Sequence, residues 1–160
     1  MKAVIQRVLR ASVTVQGEIV GSIQNGLCVL VGIGKDDTDV DLDFIARKIL
    51  SLRLFEEDGT AWKKSVMDKD FEVLCVSQFT LQARCNKGAK PDFHMAMGSA
   101  SSQDVYNKFL ELMRLKYKPG KIQDGRFGAY MQVDIQNDGP VTIVIESPEK
   151  QKVETPAEIQ

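Results

Sequence analysis

The sequence predicts an α/β fold in which mixed strands carry two main helices, and three observations lead to it. Ala3 to Ile33 shows strand-like apolar spacing broken by turn residues. Two later stretches repeat apolar residues at helical spacing, and the chain from Phe127 to Ser147 returns to strand-like alternation. The resulting order is three strands, helix, strand, helix and two strands. With 160 residues, 43% of them apolar, the chain has the size of one domain with a substantial core.

Each element has its own signal. Val13, Val15, Ile19 and Ile23 space the first strands, Gly17 and Asn25-Gly26 mark their turns, and LCVLVGI from Leu27 is a short buried run. Leu42, Ile45, Ala46, Ile49 and Leu50 recur at helical spacing behind Thr38 with Asp41 three residues on, the pattern of a capping box. A polar, turn-rich stretch around Glu56 to Thr60 follows, and then Phe71, Val73, Leu74 and Val76 begin a strand that runs into Ser77-Gln78-Phe79-Thr80-Leu81. Gln82 to Gly98 has no period and reads as a long loop, a length that is uncommon unless the loop is functional. Ser101 caps the second expected helix, with Asp104 at the boxed position. Its buried side carries Val105, Phe109 and Leu112 with Tyr106, Leu110, Met113 and Tyr117, and Pro119-Gly120 ends it. Two strands joined at Asn137-Asp138-Gly139-Pro140 complete the domain, 1–147, and the polar remainder, 148–160, is expected to be a disordered tail.

Composition narrows the chemistry. With 21 Lys+Arg against 22 Asp+Glu the net charge is −1, so a nucleic-acid site has to be a local patch. Cys28, Cys75 and Cys85 form no C-x-x-C pair and suit a reducing compartment. The start lacks the uninterrupted apolar stretch of a signal peptide, and no apolar run reaches membrane-helix length. A soluble, cytoplasmic protein without a membrane partner is the expectation. The single histidine, His94, has no partner cluster for a zinc site, so no metal and no cofactor are expected. The acidic run from Asp36 to Asp43 fails as a calcium loop, because Leu42 stands where glycine belongs and Lys48 where the bidentate glutamate belongs. Gly34-Lys35 fails as a phosphate loop because Val29 replaces its first glycine and Asp36 its hydroxyl residue. Cys75 lies inside an apolar strand, where a thiol is usually inert packing rather than a partner for His94.

Two segments remain. Ser77-Gln78-Phe79-Thr80-Leu81 puts hydroxyls and backbone amides at a strand end, a suitable cradle for an ester or oxyanion, although a plain polar terminus reads the same way. Asn137-Asp138-Gly139-Pro140-Val141-Thr142 is compatible with an ordinary turn.

Together these segments resemble the signature motifs of the D-aminoacyl-tRNA deacylases, SQFTL and NxGPVT. MKAVIQRV at the start, KSVMD, KPDFH and GAYMQV extend the resemblance over roughly residues 1–147. It implies a three-layer α/β/β fold working as a homodimer that hydrolyses the ester between tRNA and a D-amino acid or glycine. By the same resemblance Ser77, Gln78, Phe79 and Thr80 line the scissile ester, with Phe79 near the terminal adenosine and Met131 of GAYMQV in the substrate-binding set. Gly139-Pro140 is expected to be a cis bond whose carbonyls hold the substrate's α-amino group in the other subunit's site, with Arg7 bracing the segment. A D side chain then points outward, an L side chain collides, and achiral glycine is admitted. Thr80 has no base beside it in sequence, which favours activation of water by the RNA's own 2′-hydroxyl. Lys63, Lys64, Arg84, Lys87 and Lys90 are expected to flank the SQFTL loop and meet phosphates of the aminoacyl-tRNA partner. The competing readings are a nucleic-acid-binding protein with this fold and little catalysis, and a broader aminoacyl-ester hydrolase.

Overall fold

The structure, a computed structural model, describes residues 1–150. Strand β1 (Lys2–Val15) organises it, because a strand this long has partners to spare. Its first half pairs antiparallel with β3 (Gly26–Gly32), its second half with β2 (Glu18–Ile23), and nearly its whole other edge with β8 (Gln132–Glu146). Parallel pairing adds β6 (Glu72–Ser77) to β3 and β7 (Ile122–Asp124) to β6. The six-stranded sheet therefore runs β2-β1-β3-β6-β7 with β8 on β1, and a separate hairpin joins β4 (Phe55–Glu57) to β5 (Thr60–Lys64). The central pair β3 and β6 is buried on both faces, which explains why LCVLVG and EVLCVS read as apolar runs rather than alternations.

Two cores result. Helices α1 (Asp39–Ser51) and α2 (Ser99–Lys116) cover one face, where Ile45, Ile49, Phe109 and Met113 meet Ile5, Val29, Val31 and Val73. The sheet curls over its other face so that β2 approaches β7, and Val8, Val13, Ile23, Leu74 and Val76 fill the enclosed space. One helical layer and two layers of curled sheet follow from this division, in agreement with the expected class. No helix among the described residues is long and apolar enough to cross a membrane.

The start of α1 matches expectation: the Thr38 amide donates to the Asp41 carboxylate at 2.8 Å, which completes the capping box. Other expectations need correction. Helix α2 begins at Ser99 behind Gly98, not at Ser101, and no side chain caps it. The stretch expected to be a polar loop holds the β4–β5 hairpin, held by backbone pairing and turned at Asp58-Gly59, which have φ of 48° and 77°. The final two strands are one: β8 stays on β1 throughout, and Asp138 to Val141 bulge outward opposite Arg7, between the pairs Val8–Asn137 and Gln6–Thr142. The expectation of a tail from 148 stands apart from these: of it only Pro148 to Lys150 are described, with the Lys150 ammonium 3.9 Å from Asp41 and in contact with the Asp36 carbonyl. The rest of that expected tail, 151–160, lies outside the described residues.

Candidate active site

Strand β6 ends at Ser77 because the chain turns there: Phe79 to Gln82 form a single 3-10 turn. The Gln78 amide donates to the Val31 carbonyl at 2.7 Å, and the buried Gln82 side chain donates to the Gly32 carbonyl at 2.9 Å. These bonds dock the turn on the end of β3. Glycine is needed there, since a Cβ on Gly32 would stand 2.7 Å from the Leu81 Cβ.

Beside this turn opens a cavity of about 590 Å³, lined by Ser77, Gln78, Phe79 and Met131 together with Phe93, Phe127 and Tyr130. Four of the expected site residues are thus brought together. Thr80 sits just outside the lining, exposed, where its hydroxyl accepts a 2.6 Å hydrogen bond from the Gln78 side-chain amide. An amide is no base in either orientation, so the hydroxyl has an orienting partner and not an activating one. Phe79, 55% exposed, packs edge-on against Phe93 at 5.1 Å, leaving an aromatic face for a base to stack on. Gly98, Ser99 and Ser102 bring the start of α2 to the same cavity. Without a side-chain cap its first-turn amides and the positive end of its dipole are left for an anionic group.

The far wall is the Gly125–Tyr130 loop, which sequence reasoning did not single out beyond GAYMQV. Gly125 donates to the Cys75 carbonyl at 3.1 Å, and the Met131 sulfur accepts from the Arg126 amide at 3.5 Å. Beneath it the Tyr106 hydroxyl donates to Asp124 at 2.5 Å, and its ring lies 5.7 Å from that of Phe127. Burial pushes the Asp124 carboxyl above its ordinary range, partly offset by the Tyr106 hydroxyl, and pushes the Tyr106 hydroxyl up further. An aspartate and a tyrosine spaced far apart in sequence left no local motif to find.

The remaining expected residues gather elsewhere. The Gly139-Pro140 bond is cis and both residues are exposed. The Arg7 guanidinium donates to the Asp138 carbonyl at 3.3 Å, lies 3.3 Å from the Asp138 carboxylate, and donates to the Leu54 carbonyl at 2.7 Å. The Asn137 side chain ties the bulge's base by donating to the Arg7 carbonyl at 2.9 Å and the Val141 carbonyl at 3.0 Å. Gly139 has φ 124°, and a Cβ there would meet Val141 at 2.9 Å and Arg7 at 3.1 Å. Ser77 pairs with Val31 and Val31 with Ala3, so the bulge opposite Arg7 stands about 13 Å farther along β1 than the level of Ser77, and Arg7, Gly139 and Pro140 are not among the residues that line the cavity. Lys63 and Lys64 were expected near SQFTL; they lie on the hairpin that follows Leu54, on the Arg7 side, because the unforeseen hairpin carries them there.

Other chemistries find little. Burial pushes the Cys28 thiol up to about 12 and that of Cys75 higher still, so both remain protonated packing groups. His94 is exposed and contacts Asp92. Among the described residues no three His, Cys, Asp or Glu side chains gather as a metal site.

Comparison with known proteins then decides the family: the profile of D-Tyr-tRNA(Tyr) deacylase matches residues 4–146. The chain belongs to the D-Tyr-tRNA(Tyr) deacylase family. Among relatives of this deacylase family, D-aminoacyl-tRNA deacylase 1 of Mus musculus is 61% identical over 149 residues, covering 92% of this chain and 71% of the relative. D-aminoacyl-tRNA deacylase of Dictyostelium discoideum is 55% identical over 152 residues, covering 94% of this chain and 100% of the relative. A solved structure named c-Myc DNA Unwinding Element Binding Protein superposes with a TM-score of 0.90 at 60% identity, covering 93% of this chain and 100% of that one. Deacylase membership accords with the intact SQFTL and NDGPVT segments, which stand at the cavity and at the bulge.

Proposed function

We propose that this chain is a D-aminoacyl-tRNA deacylase: it adds water across the ester joining a D-amino acid, or glycine, to the terminal ribose of tRNA, releasing the free amino acid and tRNA. The observation that carries the reading is the composition of the cavity at the end of β6. It offers backbone donors, hydroxyls, a helix start and aromatic faces, and the one threonine beside it has no base. Such a site suits an aminoacyl ester, which is already activated relative to an amide and needs positioning and oxyanion stabilisation above all. Ser77, Gln78 and Phe79 hold the terminal nucleoside and the ester with Met131, and the substrate's 2′-hydroxyl helps to activate the attacking water. No metal and no cofactor take part.

Chiral selection belongs to Gly139 and Pro140, whose carbonyls receive the α-amino group, with Arg7 holding the bulge. Its exposure, and the place of Gly139 and Pro140 outside the lining of the cavity, support delivery to the cavity of a second subunit. Among the described residues the edge of β8 away from β1 is unpaired, and Val133, Ile135, Ile143 and Ile145 on its inward face are only half buried, which supports a homodimer on that side. The unit is the domain 1–147, with the tail from 148 outside it and the cytoplasm as its compartment.

Turnover of D-, L- and glycyl-tRNA in chelator tests the reading. We expect hydrolysis of the D- and glycyl-esters and not of the L-ester. Tight tRNA binding without turnover would favour the nucleic-acid-binding reading, L-ester hydrolysis a relaxed esterase, and loss of activity in chelator a metal mechanism.

A further inference from the structure

A second cavity, of about 640 Å³, lies beneath the loop that follows the 3-10 turn; it gathers Arg84, Lys87 and Lys90, which the sequence placed near phosphates without a site. Arg84 and Asp92 close the loop by exchanging backbone hydrogen bonds of 2.8 and 2.9 Å. The residues between them are exposed, so Arg84, Lys87 and Lys90 stand around the cavity with Asn86. None of these three cations is ion-paired among the described residues, whereas Lys108, Lys116 and Lys118 each hold an aspartate. The one acid in the wall, Asp92, is engaged: it accepts the His94 amide at 2.9 Å and contacts the His94 ring, and these contacts hold its carboxyl below the usual range.

The cavity's place is as telling as its charge. Segment Phe93–Met97 is the wall it shares with the candidate active site: His94 and Met95 face this cavity while Phe93, Ala96 and Met97 face the other. That wall is fixed, since Lys35 donates to the Met95 carbonyl at 2.9 Å and Met97 donates to the Ile33 carbonyl at 3.1 Å. A strand whose terminal base stacks on Phe79 and which leaves on this side crosses a wall one segment thick, and beyond it meets three cations that are unpaired among the described residues. A cationic groove continuing from an aromatic platform is the general solution for holding single-stranded nucleic acid.

We propose that the Arg84–Lys87–Lys90 cavity binds the phosphodiesters immediately upstream of the terminal nucleotide, so that affinity for the RNA end is supplied there and chemistry at Ser77–Thr80. The assignment rests on the deacylase reading for which nucleotide lies next door, and the test separates the two. A short single-stranded RNA ending in CCA, without an amino acid, is titrated against the protein between 50 and 200 mM salt. The wild type is compared with the triple variant Arg84→Gln, Lys87→Gln, Lys90→Gln and the charge-keeping Arg84→Lys, Lys87→Arg, Lys90→Arg. Three lost phosphate contacts flatten the log–log salt slope by about 2, so over this range wild-type affinity should fall roughly 15- to 20-fold more than that of the glutamine variant. The charge-keeping variant should follow the wild type. On D-aminoacyl-tRNA the glutamine variant should raise KM at unchanged kcat, while its rate on D-aminoacyl-adenosine, which lacks upstream phosphates, should equal wild type. Parallel salt slopes, equal loss on aminoacyl-adenosine, or displacement of the RNA by polyglutamate at equal charge would each overturn the assignment. If the wild type hydrolyses no D-aminoacyl ester, the deacylase reading falls and the RNA titration still decides the phosphate site.

Discussion

The Thr80 hydroxyl takes a hydrogen bond from Gln78 and, among the described residues, has no group to give its proton to. We therefore expect Thr80→Ala to lower kcat on D-aminoacyl-tRNA by less than about tenfold, while a substrate ending in 2′-deoxyadenosine is hydrolysed far more slowly. Loss of turnover in Thr80→Ala with binding intact would make the threonine the nucleophile instead. Gly139 carries the second expectation at this scale. An alanine there must hold φ near 124° with its Cβ against Val141 and Arg7, a strain of about 1–3 kcal/mol. Steady-state kinetics of Gly139→Ala should show weaker binding of D- and glycyl-substrates together, by about tenfold to a hundredfold, with L-substrates still refused. Weakened binding of the D-substrate alone would contradict the role given to the bulge.

Among the elements, the Gly125–Tyr130 wall depends on the Tyr106–Asp124 bond, which spans α2 and β7 at 2.5 Å. Tyr106→Phe leaves a half-buried carboxyl without that donor. By denaturant titration we expect a loss of about 1–3 kcal/mol, and in kinetics a KM raised more than kcat is lowered, as a wall that binds without reacting requires. The opposite split would place Asp124 in the chemistry. The same elements show where sequence was informative. β1 to β3 and α1 were legible because alternation, Asn25-Gly26 and the Thr38–Asp41 pair are local signals that agree with the tertiary structure. β8 was misdivided because Gly139-Pro140 has the composition of a turn, and only long-range pairing with β1 shows that the strand continues past it. Helix α2 was capped too late because Ser101 fits the box pattern while its real start, Gly98, carries no side-chain signal. SQFTL and Gly139-Pro140 were both visible as segments; that they belong to different strands, β6 and β8, at levels about 13 Å apart along β1 was not, since separation across a sheet leaves no trace in sequence.

For the whole molecule, acid and base pull stability in opposite directions. Asp43, beside Lys116 and Arg47, and Asp70, beside Lys118, titrate below their ordinary range, so the stability they contribute is present above about pH 4 and is lost as pH falls through their folded values. Asp124 works the other way. Its raised folded value means that the native state binds the extra proton, so stability declines as pH rises from about 4 through that value. Asp124→Asn keeps an acceptor for Tyr106 and has no charge to bury. Denaturation from pH 4 to 7 should show that decline in the wild type and flatten it in the variant; identical slopes would assign the decline to other groups.

Because Arg7, Gly139 and Pro140 stand outside the lining of the cavity, the arrangement has a genetic consequence. If each complete centre draws its cavity from one subunit and its bulge from the other, two defective alleles can repair one another. A chain damaged at Gly139 and a chain damaged at Phe79 are each inactive as pure dimers. In a mixed dimer one centre receives both lesions and the other receives none. Random reassortment of equal amounts puts half the dimers in the mixed class with one intact centre each, so the blend should regain about a quarter of wild-type activity. Recovery that needs unfolding and refolding together, and is absent when the folded proteins are simply combined, would mark subunits that do not exchange once paired.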